Sequence, residues 1–223
     1  MDIYEFSILL QYLSPLALII GLTVSVFIYK RLNTLTKSLM CYMGFMLTIE
    51  ALSYIIEKWS DNNMILLHIY SFVELSFMLY LYKKEMFRKP QRFLTILGIA
   101  GLCYIFAEML LIFVFKGLSL KDFSPYAKVA DNFIIILFAL AFISERVNHF
   151  QEKEWGNFRL NIIFLVFFTI NTLFFLPFNF MVNAGTITKF YFFAGHLTIL
   201  ALFYLYLTFE IINNSFNKLK KGQ

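Results

Sequence analysis

Seven long, almost uninterrupted apolar runs constrain the fold of this 223-residue chain more than any other feature. A helix needs about 20 mostly apolar residues to cross about 30 Å of hydrocarbon, and each run approaches that length. Barrel strands alternate polar and apolar residues, and these runs do not. The sequence therefore predicts an all-α, polytopic membrane protein with seven transmembrane helices, at residues 8–29, 38–57, 64–82, 93–115, 129–145, 160–180 and 190–212.

The composition agrees with lipid as the solvent of this chain. Hydrophobic residues make up 60% and charged residues 15%, against about 45–50% and about 25% in soluble domains. The connections between the apolar runs are too short to form a soluble core of their own. We therefore expect one membrane domain over residues 1–223, with a basic tail at 213–223, and the lipid bilayer as its first partner.

The distribution of lysine and arginine predicts the orientation. Of the 19 such residues, 14 lie in the first, third and fifth connections and the C-terminal tail; the other five are Lys58, Lys116, Lys121, Lys128 and Lys189. The positive-inside rule then places the N-terminus outside and the C-terminus in the cytoplasm. The formal charge of +5 arises from these clusters, so nucleic acid is not an expected partner. We expect a multi-pass protein of a bacterial inner membrane.

Ionisable side chains inside the predicted spans are the candidate functional residues, because they are costly in hydrocarbon. Five of the six fall in the predicted outer half, and Glu74 falls near the midplane. One interpretation is a polar cavity, open to the outside, that holds a ligand or relays a proton; the other is a set of separate interhelical hydrogen bonds. The candidates, including a tyrosine on the Glu74 face, are Glu50, His68, Tyr70, Glu74, Glu108, Asp131 and His196.

Helical spacing refines these candidates. Tyr70 and Glu74 share one face of their helix, and we expect Glu74 to point into the bundle rather than at lipid. His68 lies about 120° around the helix from Glu74, so the two do not point at one ligand. Gly98 and Gly101 predict a close helix approach. Glu210, like Glu145, is expected at a helix end, where it can reach water.

The sequence predicts no catalytic residue, metal or cofactor. Two histidines with carboxylates can form a metal site, but here every ligand has to come from a different helix. A nucleophile elbow and a P-loop are absent. The last predicted span also lacks the central lysine that a retinal pigment requires.

One pattern resembles a known group of proteins. The run Asn62-Asn63, His68-Ile69-Tyr70 and Glu74, followed by Lys83-Lys84, is similar to a pattern in small uncharacterised seven-helix bacterial membrane proteins. Some similar bundles are sensor modules joined to, or associated with, histidine kinases. The resemblance implies a sensor-like role in which the signal passes to a separate cytoplasmic partner, and it carries over no catalytic residue.

Three functional hypotheses follow. The first is a non-enzymatic receptor- or sensor-like bundle that binds a small or lipidic ligand in a polar cavity of the outer half. The second is a proton-coupled small-molecule transporter that uses Glu50, Glu74 or Glu108. The third is a metal-dependent intramembrane enzyme acting on lipid, for which His68 and His196 have to converge.

Overall fold

The computed structural model describes residues 10–59, 64–89, 91–116, 125–148, 157–177 and 186–221, and no β-strand occurs among them. The chain forms seven α-helices in these ranges. They are α1 (Leu13–Phe27), α2 (Thr34–Trp59), α3 (Met64–Leu81), α4 (Arg92–Leu110), α5 (Tyr126–Asn148), α6 (Phe158–Phe175) and α7 (Thr186–Lys221). Helices α3 and α4 continue into π-helical turns at Tyr82–Met86 and Leu111–Lys116.

Six of these helices are long and apolar enough to cross a membrane, and α1 is a shorter apolar helix of 15 residues. The structure thus confirms an all-α chain of the multi-pass membrane type. For the first predicted span, the α-helix begins at Leu13, and residues 8 and 9 lie outside the described residues. The orientation in the membrane remains a prediction.

The described helices divide into two compact units, one from residues 1–61 and 181–223 and one from residues 62–180. In the first unit, α1 packs against α2 and α7, and α2 also packs against α7. Gly21 permits this approach, because a Cβ atom there would overlap the side chains of Met43 and Thr208. The prediction of a single domain over the whole chain remains a prediction.

In the second unit, α3 packs against α4 and α5, α4 packs against α5, and α5 packs against α6. Two glycines of α4 make its contacts close, as the sequence predicts. A Cβ atom at Gly98 would lie 2.8 Å from Leu79 Cδ1 and 3.1 Å from Phe138 Cζ. At Gly101 it would overlap Ile134 Cδ1. This unit carries most of the candidate site.

Helix α7 corrects one expectation about the end of the chain. It runs for 36 residues to Lys221, so residues 213–221 are helical, and their role as a basic tail stays a prediction. Glu210 is consequently an internal residue of α7 and not a helix-end residue. It is 7% exposed and accepts hydrogen bonds from Asn214 Nδ2 at 2.9 Å and Tyr206 Oη at 3.3 Å.

A buried hydrogen-bonded tyrosine ties three helical segments of the second unit together. Tyr82 Oη donates to Asn161 Oδ1 at 2.8 Å, and Asn161 Nδ2 donates to the carbonyl oxygen of Ala139 at 3.1 Å. Phe138 and Phe164 lie against the Tyr82 ring. The Tyr82 hydroxyl therefore supplies a hydrogen bond to the side-chain amide oxygen of Asn161, which is fully buried.

Changing Tyr82 to phenylalanine should lower the free energy of unfolding by about 1–3 kcal/mol, because Asn161 Oδ1 then loses its donor inside the unit. Denaturant titration in micelles measures this value. Tyr80→Phe is the matched control. Tyr80 is 48% exposed, so loss of its hydroxyl group should change the free energy of unfolding by less than about 0.5 kcal/mol. Equal effects of the two substitutions would contradict a structural role for the Tyr82 hydroxyl.

Candidate functional site

Three ionisable side chains form a buried cluster between α3 and α5 in the second unit. The Lys128 ammonium contacts Glu74 Oε2 and also lies 3.1 Å from Asp131 Oδ2. The three residues are 0–1% exposed, so the cluster is sealed from solvent. The prediction that Glu74 faces the interior of its bundle is confirmed by this burial.

The local geometry of α5 brings Lys128 and Asp131 together. They are three residues apart and therefore lie on the same face of the helix, which α5 turns toward α3. Tyr70, one turn before Glu74 on α3, places its ring under the ammonium, with Lys128 Nζ 4.5 Å from the ring centroid. The ammonium is thus held by two carboxyl groups and one aromatic face.

A pair of amides continues this polar layer toward α6. Asn132 and Asn171 are both buried, and Asn171 Nδ2 donates to Asn132 Oδ1 at 3.3 Å. Asn132 follows Asp131 directly in the chain, and the amide pair links α5 to α6 through uncharged groups.

His68 and Glu108 form a second, separate polar contact in the same unit. His68 Nε2 lies 3.8 Å from Glu108 Oε1, and the imidazole and the Phe113 ring pack nearly perpendicular to each other at a centroid distance of 5.4 Å. Tyr104 lies one turn before Glu108 and within its reach. His68 and Glu74 thus engage different partners, as their angular separation on α3 predicts.

Glu50 and His196 belong to the first unit. The Ser14 hydroxyl of α1 donates to Glu50 Oε1 on α2, which gives Glu50 a partner on a neighbouring helix of its own unit. His196 is half-buried on α7. A single cavity that joins these two residues to His68 and Glu108 remains a prediction.

The structure corrects the placement of Lys128. The sequence places this lysine in a connection between spans, but α5 begins at Tyr126 and Lys128 is buried inside it. The ion pair with Glu74 provides the physical reason. Without this counter-charge, the Lys128 ammonium would be expected to stay in water. The position of Asp131 near the mouth of the fifth span stays a prediction. The spacing of Lys128 and Asp131 was the sequence signal that could have indicated this arrangement.

Among the described residues, no group of three or more His, Cys, Asp or Glu side chains is arranged to hold a metal ion. What the Glu74–Lys128–Asp131 cluster can do chemically is bind and release a proton, or exchange ion-pair partners.

Comparison of the chain with protein-family models, curated proteins and solved structures finds no match.

Proposed function

We propose that this chain is a non-enzymatic receptor- or sensor-like membrane protein that binds a small or lipidic ligand. The buried Glu74–Lys128–Asp131 cluster, hereafter the charged cluster, is the part that responds. One observation carries the proposal: a lysine and two carboxyl groups are kept at 0–1% exposure within helices of membrane-spanning character. Ionisable groups in that setting are expensive and mark functional sites.

A purely structural role is a weaker explanation of the charged cluster. Well-packed apolar residues of similar volume are often as stable as a buried ion pair, or more stable. The cluster also joins two different helices, since Glu74 lies on α3 and Lys128 on α5. A change in its charge or its partners therefore acts on the packing of α3 against α5, which is the kind of two-state contact that switches use.

The distribution of ionisable groups favours binding over transport. Between the charged cluster and the basic ends of the second unit, α3 to α6 carry no Asp, Glu, His, Lys or Arg within residues 75–82, 95–107, 132–144 and 160–175. A proton pathway through the unit would need relay groups along its length. The ionisable groups are instead concentrated in one layer, which suits a ligand-responsive site.

Proton-coupled transport is the alternative function. One feature supports it: two carboxyl groups share one ammonium, so the cluster can take up and release a proton. The third hypothesis, a metal-dependent enzyme acting on lipid, has no such support among the described residues. For the sensor-like role, the proposed setting is a bacterial inner membrane with a separate cytoplasmic signalling partner. The first two residues of the sensor-like pattern, Asn62 and Asn63, lie outside the described residues.

The proposed orientation, N-terminus outside and C-terminus in the cytoplasm, predicts the behaviour of reporter fusions. A reporter that is active only in the cytoplasm should work when fused after Gln223 and should be silent when fused before Met1. The reason is the excess of Lys and Arg on the predicted cytoplasmic side. Reporter activity in the N-terminal fusion with silence in the C-terminal fusion would reverse the proposed topology.

Native mass spectrometry of the protein extracted from its membrane tests the proposed function. The wild type should retain a bound small molecule or lipid in defined stoichiometry. Lys128→Met should reduce this occupancy at least about tenfold, which corresponds to about 1.4 kcal/mol of binding free energy. Lys84→Met, at an exposed lysine of the π-helical turn, is the control and should retain the bound molecule.

Proteoliposomes containing a pH-sensitive dye separate the two leading hypotheses. A receptor-like protein should leave an imposed proton gradient as stable as it is in empty vesicles, whereas a proton-coupled transporter should dissipate it when substrate is present. Two results would contradict the proposed function. One is equal occupancy by the bound molecule in the wild type and Lys128→Met in the mass spectra, and the other is a proton flux into the vesicles that depends on Lys128.

A further inference from the structure

The charged cluster contains one more acidic group than it has ammonium groups. Glu74 and Asp131 both contact the single ammonium of Lys128, and one ammonium balances one carboxylate. If both carboxyl groups were ionised, a net negative charge would be held at a site sealed from water, where an uncompensated charge is strongly unfavourable. One additional proton makes the cluster neutral.

The surroundings of Asp131 indicate where that proton is held. Asp131 Oδ2 faces Lys128, while Oδ1 is buried and accepts no hydrogen bond from the described residues. Ser71 of α3 lies beside this carboxyl group, and the Ser71 hydroxyl already donates to the carbonyl oxygen of Leu67 at 3.0 Å. While the Ser71 hydroxyl donates to Leu67, a proton on Asp131 can bond to Ser71 Oγ; an ionised Asp131 would instead need this hydroxyl to turn and donate to it.

The other groups around the cluster do not replace this proton. Helix α3 contributes the neutral phenol of Tyr70, whose ring lies at the ammonium. On α4, the acidic Glu108 and Tyr104 belong to the separate polar contact with His68. Helix α6 provides the uncharged amide of Asn171 through Asn132.

We propose that the charged cluster is a proton-binding site, in which Asp131 carries one exchangeable proton while Glu74 and Lys128 form the ion pair. This inference rests on the proposed function and identifies the proton as a ligand of the same site. Release converts the Asp131 carboxylic acid to a carboxylate, and the proton passes to bulk water during transient openings of the helix packing around the cluster. The new carboxylate competes with Glu74 for Lys128 and leaves the cluster with a net negative charge, which loosens the contact of α3 with α5.

Infrared spectroscopy of the full chain in lipid nanodiscs tests this site. At neutral pH the wild type should show the carbonyl stretch of a protonated carboxyl group. Labelling with [¹³C]aspartate should shift this band, and exchange into D₂O should shift it as well. Raising the pH should remove the band as the proton leaves. A wild type without such a band, or with a band that the aspartate label does not move, would overturn the assignment to Asp131.

Two variants restore a one-to-one charge balance and should each abolish the band. Asp131→Asn removes the carboxyl group, and Glu74→Gln leaves Asp131 as the sole partner of Lys128, so that Asp131 becomes ionised although no aspartate has been removed. Glu145→Gln on the same helix is the control and should leave the band unchanged. If Asp131→Asn does not fold, Glu74→Gln decides the matter, and a band that persists in folded Glu74→Gln contradicts the proposal.

The outcome separates this inference from the proposed function. Loss of the proton site with continued retention of a bound small molecule or lipid, dependent on Lys128, would overturn only the inference. A proton band with no Lys128-dependent ligand would leave the proton site intact and contradict a receptor for a small or lipidic molecule.

Discussion

Replacing Lys128 with methionine should lower the free energy of unfolding by about 3–5 kcal/mol, because it leaves two buried carboxyl groups without the ammonium they share. The effect should be among the largest of any single substitution in the chain, since Lys128 is 1% exposed and contacts both Glu74 and Asp131. Denaturant titration of the purified protein in mixed micelles gives the value.

Two controls identify the origin of this loss. Lys84→Met removes a lysine that is exposed in the structure, and stability should change by less than about 0.5 kcal/mol. The triple variant Glu74→Gln, Lys128→Met, Asp131→Asn should recover much of the stability, since neutral side chains of similar shape replace the whole cluster. A Lys128→Met protein as stable as Lys84→Met would show that Lys128 is not buried.

Replacing Gly101 with leucine should destabilise the second unit by about 1–3 kcal/mol or more, because overpacking forces neighbouring side chains or helices to move. Even the first atom of the new side chain would overlap Ile134 Cδ1 of α5 and lie 3.0 Å from Leu75 Cδ2 of α3. Because Glu74 and Leu75 are adjacent, we also expect loss of the infrared band proposed for Asp131.

Gly44→Ala is the comparison for this substitution. Gly44 lies on α2, and a Cβ atom there would be 4.0 Å from Leu22 Cδ2, which is an ordinary contact distance. Removing a glycine from a helix interior is favourable by roughly 0.5–1 kcal/mol in water, so this variant should be neutral or slightly more stable. If both variants unfold alike in denaturant, the close packing of α4 does not limit stability.

The helices of this chain could be predicted because each apolar run is long. Local signals at the ends of a run shift the helix boundary by only a few residues. Helix α2 shows the size of the error: the predicted span begins at residue 38, whereas the helix begins at Thr34. The Asn33 side chain accepts a hydrogen bond from the Thr36 amide at 2.8 Å, and such capping extends the helix beyond its apolar part.

The charged residues were harder to place, because hydropathy treats every lysine as a marker of a span boundary. Lys128 enters the helix only because Glu74, 54 positions earlier in the chain, provides its counter-charge. Glu210, in contrast, lies inside α7 with local partners one turn away on either side. Pairing across long sequence separations is a tertiary effect, and the i, i+3 spacing of Lys128 and Asp131 was the local sign of it.

The sequence predicts which residues belong to the candidate site, but it does not predict which of them contact one another. Glu74, Asp131 and Tyr70 do meet, although they do so around a lysine that was not among the candidates. His68 and Glu108 form a different contact, in agreement with the angle between His68 and Glu74 on α3. Depth along a helix can be read from a sequence, whereas the direction in which neighbouring helices face one another depends on packing.

The distance between α3 and α5, measured in lipid nanodiscs as the pH is raised, tests most directly whether the charged cluster is the responsive element. Spin labels at Phe72 and Phe133, which are exposed on these two helices, report it once the exposed cysteines Cys41 and Cys103 are replaced by serine. We predict that the wild type gains a population with a longer distance at alkaline pH and that Asp131→Asn keeps one distance throughout. An unchanged distance in the wild type, or the same change in both proteins, would contradict the account.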